Sequence, residues 1–290
     1  MSTLRFILPQ WQGGLNPNYV LGSELLAIIA PPSARDEVVT IKVNRDFDAP
    51  LKTEHGVDRF ADLMAQTDAC LAVLAEKNPD KIITFGGDCS ISQAPFAYLS
   101  EKYGDKLGVL WLDAHPDIAT VEQSSHLHEM VLGNLIGEGA PAFAAKLKSS
   151  IKPSHVFYAG LIEKDLRPMD DGVFRHNIGF ATPEDLNTDS QKILDWIADE
   201  KIEVLAVHFD LDVLSPRDFR SIYPAEPYTN VADFPAAVGE LTLKKVVSIL
   251  NELNELEEVV DLVGLSLAEY LPWDALHLRT ALSHISIFND

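Results

Sequence analysis

Short apolar segments recur along this chain, and stretches with helical periodicity lie between them. Several of the apolar segments are continuous in Val, Ile and Leu rather than alternating with polar residues. Continuous apolar runs are typical of strands that are buried on both faces of a parallel sheet. The pattern therefore predicts a mostly parallel sheet of eight strands, at residues 4–8, 37–43, 81–85, 106–113, 154–160, 177–181, 203–212 and 257–269.

The longest helical pattern spans residues 56–80. Its apolar stripe consists of Phe60, Leu63, Met64, Leu71 and Leu74. Pro79 ends the pattern, and Cys70 falls on the same stripe. We interpret Cys70 as a core residue, because a free cysteine packs as a small hydrophobic side chain. Alternating strands and helices predict a three-layer α/β fold, with residues 1–290 in a single domain.

Polar side chains directly follow several of the predicted strands. The strand at 81–85 runs into "GGDCS", the strand at 106–113 runs into "DAHPD", and the strand at 203–212 ends in "DLD". Glu269 follows the last strand, in "GLSLAEY". Because ligands bind beyond the carboxyl ends of parallel strands, we expect these side chains to meet at one edge of the sheet. The glycine pair of "GGDCS" is also what a tight turn with positive φ requires.

The spacing within two of these motifs favours a metal centre. Residues two apart in an extended chain point the same way, so Asp113, His115 and Asp117 are expected to share a face. Asp210 and Asp212 are expected to share one for the same reason. Carboxylates this close repel each other and need a counter-charge. Two divalent cations bridged by carboxylates supply one, and such a pair of ions is a known hydrolytic device.

A formal net charge of −21 over 290 residues limits the kinds of partner. Nucleic acid and anionic membranes bind basic patches, and none is visible, so neither is an expected partner. No run approaches the roughly 18 apolar residues of a membrane helix, and the N-terminus lacks the basic start of a signal peptide. Two cysteines do not make a disulfide framework, which favours a reducing, cytoplasmic setting.

The motifs also carry a family resemblance. "GGDCS", "WLDAHPDI", "HLHEM", "FDLDVLSP" and "GLSLAEYLP" occur in this order over residues 86–272. This resembles the ureohydrolase family, which contains arginase, agmatinase and formimidoylglutamase. The usual motifs of that family are GGDHS, DAHxD, a loop ending in HG, and SFDxDxxDP, followed by a glutamate. The resemblance implies an arginase-like fold, a homo-oligomer, and metal-dependent hydrolysis of a linear C–N bond in a small guanidino or amidino substrate.

The resemblance also assigns roles to individual residues. It implies two divalent metal ions, Mn²⁺ above all, at positions that correspond here to Asp113, His115, Asp117, Asp210 and Asp212, with Asp113 and Asp210 bridging the ions. His128, in "HLHEM", corresponds to the histidine that delivers a proton to the leaving amine. Glu269 corresponds to the acid that pairs with the guanidinium or amidine of the substrate, a planar cation that a carboxylate matches with two hydrogen bonds.

Cys89 departs from the family, because it stands where a histidine ligand is usual. Three interpretations stay open, namely a metal ligand, a small filler beside a weakened first metal, and a nucleophile. We favour the ligand, since a metal deprotonates a coordinating thiol outright and a hydrolytic metal site needs no nucleophilic cysteine. A thiolate shifts metal preference from Mn²⁺ toward Zn²⁺ or a similar ion. Asp88 is expected to anchor the turn or a metal ligand by hydrogen bonds rather than to bind metal itself.

A second departure lies in the segment that holds the amino-acid head group in the arginase branch. Ala119 and His126 replace two asparagines, and Glu129 follows His128 where glycine is usual. We therefore expect a substrate other than plain L-arginine. Hydrolysis of an N-hydroxyguanidine-type substrate is one alternative. A non-catalytic binding or regulatory protein is another, supported by the missing histidine at position 89.

Other charged residues have less certain places. Glu122 or Glu129 is a candidate for meeting a basic group of the substrate, and Arg217 or Arg220 for meeting a carboxylate, although exposed charge is the default. His208 lies two residues before Asp210 on the same predicted face. It is either a satisfied core histidine, the interpretation we favour, or a partner that orients a metal ligand.

Overall fold

Helices cover both faces of a parallel β-sheet in the computed structural model of this protein, which describes residues 1–256 and 260–288. The strands are β1 (Thr3–Leu8), β2 (Glu37–Thr40), β3 (Thr53–Glu54), β4 (Val57–Asp58), β5 (Lys81–Gly86), β6 (Leu107–Leu112), β7 (Val156–Ala159), β8 (Gly179–Ala181), β9 (Val204–Asp210) and β10 (Asp261–Ala268). Strands β3 and β4 form a small antiparallel hairpin. The other eight described strands form one parallel sheet in the order β2-β1-β5-β10-β9-β6-β7-β8.

The helices among the described residues are α1 (Tyr19–Ile29), α2 (Phe60–Lys77), α3 (Gln93–Tyr103), α4 (Val131–Leu135), α5 (Pro141–Ala144), α6 (Gly172–Arg175), α7 (Pro183–Thr188), α8 (Gln191–Asp199), α9 (Leu243–Glu255) and α10 (Trp273–Ser283). In the part of the chain that the structure covers, none of them is both long and apolar enough to span a bilayer.

Strand β6 shows why the fold has three layers, with the sheet between two layers of helices. All six of its residues are buried. Val109 and Trp111 pack into one hydrophobic cluster, which contains side chains of α2 and α3. Leu110 and Leu112 pack into the other cluster, which contains side chains of α8 and α9. A strand covered on both faces is a nearly continuous apolar run, and the predicted parallel α/β fold is confirmed.

The predicted strand ends differ from the observed ones by a few residues. The strand predicted at 37–43 stops at Thr40, and the one predicted at 203–212 stops at Asp210, where a 3₁₀ turn begins. The strand predicted at 257–269 is observed as Asp261–Ala268, and residues 257–259 lie outside the described residues. Helix α2 ends at Lys77, because Asn78 adopts a left-handed φ of 45° one residue before Pro79.

Four strands at the centre of the sheet bring distant parts of the sequence together. Strand β10 lies between β5 and β9, and β6 pairs with the other side of β9. All four run in the same direction, so their carboxyl ends lie at one edge of the sheet. The residues after these four strands are those that the sequence singles out.

Candidate metal centre and active-site pocket

A cavity of about 590 Å³ opens at the carboxyl edge of the four central strands. Seven of the eight predicted site residues line it, namely Cys89, His115, Asp117, His128, Asp210, Asp212 and Glu269. The eighth, Asp113, is fully buried. The side chains that the sequence predicts to meet are therefore close together, whereas the role of each stays a prediction.

Each central strand contributes one residue at its end. Cys89 begins the 3₁₀ turn Cys89–Ser92 after β5, and Asp113 directly follows β6. Asp210 is the last residue of β9, and Glu269 directly follows β10. The backbone N–H of Glu269 donates to the carbonyl of Gly87 over 2.7 Å, which ties the end of β10 to the end of β5.

The turn after β5 is tight for a reason that the sequence does not reveal. Neither Gly86 nor Gly87 has a positive φ, so the positive-φ interpretation of this pair is wrong. A Cβ on Gly87 would lie only 1.5 Å from the carbonyl oxygen of Gln10, so close backbone approach excludes a side chain there. Asp88 accepts hydrogen bonds from the backbone N–H groups of Gly13, over 2.9 Å, and Ser90, over 3.0 Å. The prediction that Asp88 anchors the turn is confirmed.

Strand alternation is not what groups the aspartates. Asp113 lies beyond the end of β6, and its Oδ1 accepts the backbone N–H of His115 over 2.7 Å. Asp117 has a left-handed φ of 47°, and Asp210 accepts the backbone N–H of Asp212 over 2.8 Å within the next turn. The shared-face explanation is therefore wrong, and turns closed by carboxylate–backbone hydrogen bonds bring these side chains together.

Three sets of side chains in the described part of the chain place their potential ligand atoms within 4.8 Å of one another. They are Cys89–Asp113–Asp117–His208, Cys89–Asp210–Glu269 and Asp113–His115–Asp212. Asp113 belongs to two of these sets, as a residue that bridges two ions must. Cys89 donates from Sγ to Asp210 Oδ2 over 2.8 Å, so the thiol lies within the acidic cluster.

Several buried atoms of these sets have no hydrogen-bond partner among the described residues. They are Asp117 Oδ2, Asp212 Oδ1 and His208 Nε2. A buried polar atom without a partner is unfavourable by about 1–3 kcal/mol, and native proteins rarely leave one. Carboxylate, imidazole and thiolate donors are those that divalent transition metals bind. The side chains present therefore fit a centre of two divalent ions.

The electrostatics of the cluster also favour bound cations. Burial, and the nearby Asp212 after it, raise the pKa of Asp113 to about 6 and that of Glu269 to about 7. The pKa values of Asp117 and Asp210 are raised well above the usual range, by burial first and by neighbouring carboxylates second. Ionised together, these groups need positive charge beside them.

Cys89 does not have the surroundings of a free nucleophile. Burial raises the pKa of its thiol well above the usual value, and Asp117 and Asp210 raise it further. Reactive cysteines lie where positive charge stabilises the thiolate, whereas the charged groups that act on Cys89 are carboxylates, although the residue begins the turn that leads into α3. These surroundings oppose the nucleophile interpretation and leave the ligand and filler interpretations.

His128 and Glu269 lie on the wall of the same cavity. His128 Nδ1 is 2.8 Å from the carbonyl oxygen of Gly13. A carbonyl only accepts, so Nδ1 carries a proton and Nε2 takes no part in this bond. Glu269 adopts a left-handed φ of 61° and accepts a hydrogen bond from the buried Tyr19 hydroxyl. Non-glycine residues in this conformation are uncommon and concentrate at functional sites.

The charged residues proposed for substrate recognition are only partly in place. Arg217 and Arg220 do not line the active-site cavity but a neighbouring one, which shares Glu226 with it, so their contact with the substrate stays a prediction. Glu122 is exposed and does not line the active-site cavity. Glu129 does line it and is paired over 2.8 Å with Arg167, which the sequence analysis missed.

Arg167 and Tyr19 carry little signal in the sequence. Both are far from the strand-end motifs, and only the fold brings them to the cavity. Burial alone would raise the pKa of Glu129, but His128, Ser124 and Arg167 together hold it below its usual value. The cavity wall therefore contains an ionised acid and a guanidinium side by side.

A parallel α/β sheet with an acidic, cysteine-containing cluster at its carboxyl edge defines a class of protein that is built to hold two metal ions. The chain belongs to the arginase family, whose model matches residues 29–288. The family resemblance drawn from the motifs is therefore confirmed.

Curated relatives match part of the chain. Arginase of Staphylococcus aureus strain COL is 26% identical over 181 residues, which are 59% of this chain and 58% of the relative. Arginase of Bacillus caldovelox is 36% identical over 94 residues, which are 31% of this chain and 29% of the relative. The chain thus spans less than two thirds of the length of these relatives.

Solved structures match nearly the whole chain. Entamoeba histolytica arginase, in complex with L-ornithine, has a TM-score of 0.74 at 19% identity, and the match covers 93% of this chain and 91% of that one. Formimidoylglutamase of Bacillus subtilis has a TM-score of 0.63 at 15% identity, covering 94% and 80%. These likenesses establish that the chain has the arginase-like fold.

Proposed function

We propose that this protein is a metal-dependent amidinohydrolase, which hydrolyses a linear C–N bond of a guanidino or amidino compound and releases urea or a related amide. The observation that carries the proposal is that the predicted metal ligands lie at one cavity together with His128 and Glu269. Several buried atoms of the ligand sets also have no hydrogen-bond partner among the described residues. The names of the curated arginases and of the solved formimidoylglutamase support the same chemical class.

Six residues would hold the two ions, namely Cys89, Asp113, His115, Asp117, Asp210 and Asp212. Divalent ions bound there supply a water of lowered pKa and polarise the substrate. The oxygen-rich set Asp113–His115–Asp212 supports Mn²⁺, whereas Cys89 supports Zn²⁺ or a similar ion in its own set. The charge of the ions would allow the buried carboxylates to be ionised together.

Glu269 and His128 would bind the substrate and move a proton. The Glu269 carboxylate, held by the Tyr19 hydroxyl, would pair with the N–H groups of a planar amidinium, a geometry that allows two charge-assisted hydrogen bonds. His128 donates from Nδ1 to Gly13, so its Nε2 is the atom that would first take up a proton and then deliver it to the leaving amine.

We propose a cationic substrate that is not plain L-arginine. The acidic lining of the cavity favours a positively charged compound. Ala119 is fully buried and has no side-chain hydrogen-bonding group for an amino-acid head group. The Glu129–Arg167 pair instead presents both signs of charge at the cavity wall. A cytoplasmic location and a homo-oligomeric state stay part of the proposal. The two free cysteines support the cytoplasmic location.

The proposal is tested with purified protein loaded with Mn²⁺ or Zn²⁺ and a panel of L-arginine, agmatine, other guanidino acids and formimidoyl amino acids. Release of urea, ammonia or an amide is measured for each. Asp210→Asn should abolish both bound metal and hydrolysis, whereas Asp199→Asn, the same change on the exposed side of α8, should leave both intact. Full activity in Asp210→Asn contradicts the proposal. Wild-type protein that holds two ions and hydrolyses nothing on the panel points to a binding protein.

A further inference from the structure

His208 on β9 is fully buried, yet only one of its ring nitrogens has a partner among the described residues. Nδ1 lies 2.7 Å from the hydroxyl oxygen of Ser92. The ring stacks on the indole of Trp111, with centroids 3.7 Å apart and planes at 14°. Nε2 has no hydrogen bond in the described part of the chain. A satisfied core histidine has hydrogen-bond partners for both ring nitrogens. The core interpretation that the sequence favours for His208 is therefore wrong for Nε2.

The surroundings of Nε2 are those of a metal ligand. It lies 3.9 Å from Asp113 Oδ2, and His208 belongs to the set in which its ligand atom and those of Cys89, Asp113 and Asp117 lie within 4.8 Å of one another. All four side chains are buried. Two atoms bound to one zinc ion at about 2.0–2.1 Å each can be at most about 4.2 Å apart, so the separation of 3.9 Å allows a shared ion.

A second residue of the same set also has an unpartnered atom. Asp117 Oδ2 is buried and has no hydrogen-bond partner among the described residues. An imidazole lone pair and a carboxylate oxygen cannot hydrogen-bond to each other when both lack a proton, but one cation satisfies both. The pair of unpartnered atoms therefore points to an ion between them.

We propose that His208 is itself a metal ligand, which supplies the imidazole of the first metal position together with Cys89, Asp113 and Asp117. The inference rests on the metal centre of the proposed function and adds a residue that this centre does not otherwise include. The family motifs GGDHS and SFDxDxxDP have histidine and serine where this chain has Cys89 and His208. The chain thus has an imidazole on β9 in place of the one that is missing after β5.

Ser92 and Trp111 are positioning residues in this arrangement. The Ser92 hydroxyl can accept the Nδ1–H of His208, which leaves the lone pair on Nε2 for the ion, and metal-bound histidines commonly fix their second nitrogen in this way. Trp111 Nε1 donates to Asp113 Oδ2 over 3.0 Å, so the residue that stacks on one ligand also holds another. Both partners reach the site from buried positions.

The donor set predicts which ion the first position prefers. One thiolate, one imidazole and two carboxylates form a softer set than Asp113–His115–Asp212, which contains no sulfur. Soft sulfur donors select Zn²⁺ and similar ions over Mn²⁺. Zn²⁺ and Co²⁺ should therefore fill the first position at concentrations at which Mn²⁺ does not.

The experiment uses full-length protein stripped by a chelator and loaded with Co²⁺. The measurements are bound cobalt per chain, the near-ultraviolet thiolate-to-cobalt absorption, and the proton NMR signals of ligating imidazole N–H groups, which the ion displaces far from the normal range. Wild-type protein should bind two ions, show the absorption and give displaced N–H signals from both His115 and His208.

His208→Gln, which keeps a side chain of similar size, should lose one displaced N–H signal and weaken the first ion by more than the 10–100-fold typical of an outer-shell partner. His155→Gln is the matched control, because His155 is buried but bonds to Leu107 away from the centre. The double variant Cys89→His with His208→Ser should bind two ions without the thiolate absorption. This result also covers the case in which the single variant folds poorly.

The outcomes separate the two proposals. Wild-type protein that binds two ions, with an unchanged affinity and both N–H signals in a folded His208→Gln variant, overturns the role of His208 alone. A double variant that is folded but has lost an ion overturns it as well. Wild-type protein that binds no Co²⁺, Zn²⁺ or Mn²⁺ overturns the proposed function together with this inference.

Discussion

At the residue scale, Cys70 and Cys89 show how the same side chain serves two purposes. Cys70 lies on α2 inside the larger hydrophobic cluster, and burial raises its pKa to about 12. Cys89 is equally buried, but its sulfur lies 2.8 Å from Asp210 Oδ2 at the base of a cavity. Only the second environment contains charges that a metal ion would balance.

Serine substitutions should separate these two environments. Cys89→Ser should lower the bound metal and the activity, because a hydroxyl is a far weaker metal ligand than a thiolate. Cys70→Ser should leave both unchanged and lower the free energy of unfolding by about 1–3 kcal/mol, since it buries a hydroxyl among apolar side chains. Metal analysis and chemical denaturation measure the two effects. Equal metal content in the two variants would make Cys89 a filler.

Glu269 is expected to act on the substrate rather than on the ions. Glu269→Gln removes the negative charge that pairs with an amidinium, and a hydrogen bond to a charged group contributes about 1.5–3 kcal/mol. The variant should lower kcat/KM by about 10- to 100-fold and keep two ions per chain. Glu226→Gln, at another position on the cavity lining, is the matched control. Loss of an ion in Glu269→Gln would instead make this acid a ligand, as its place beside Cys89 and Asp210 allows.

At the scale of the elements, the ends of strands decide where the chemistry lies. Continuous apolar runs locate β6 and β9 to within a few residues, because strands covered on both faces are apolar at most positions. The runs do not reveal how the chain turns afterwards. Asp117 and Glu269 adopt left-handed φ values and Gly87 meets the Gln10 carbonyl because of tertiary contacts that no local pattern contains.

Gly87→Ala tests the close approach between β5 and the loop after β1. A Cβ would lie 1.5 Å from the Gln10 carbonyl oxygen, so the two segments would have to separate. The variant should have a clearly lower Tm and less bound metal, since Gly87 also holds the backbone of Glu269. Gly14→Ala is the control, because its Cβ would meet the nearest atom at an ordinary 3.4 Å. Thermal melting of both variants measures the difference in Tm, and equal Tm values would contradict the packing explanation.

At the scale of the whole molecule, the sequence predicts those site residues that directly follow a strand. The aspartates, Cys89 and Glu269 follow apolar runs, so the parallel topology brings them together. Arg167 lies on a loop, Tyr19 on α1, and His208 inside β9, and none of these positions signals a cavity. The unpartnered Nε2 of His208 depends on its neighbours from β6 and the turn after β5, which only the folded chain reveals.

The pH dependence of stability should differ between metal-free and metal-loaded protein. Asp113 and Glu269 have folded-state pKa values of about 6 and about 7, raised first by burial, whereas both titrate near pH 4 when unfolded. The folded state then binds more protons between about pH 4 and 7, so the free energy of unfolding falls as pH rises through this window. Chelated protein should therefore have a higher Tm at pH 5 than at pH 7.5.

The free energy of unfolding of metal-loaded protein should not fall with pH in this way, because the ions replace the protons. An ion at 100 times its Kd adds about 2.7 kcal/mol to the free energy of unfolding. Melting curves with and without chelator measure the difference, and chelated Glu269→Gln should show a shallower fall with pH than chelated wild type. A chelated protein whose Tm rises from pH 5 to 7.5 would contradict the role of these buried acids.

The position of β10 in the sheet also affects how the chain folds while it is being synthesised. This strand comes last among the described strands in the sequence, yet it fills the gap between β5 and β9. Before it emerges from the ribosome, the nascent chain can form only two half-sheets, each with an unpaired edge facing the other. Open edges invite wrong pairing with other chains. The emergence of β10 is therefore the step before which this chain most needs a chaperone, and the step at which the two sides of the candidate metal centre first meet.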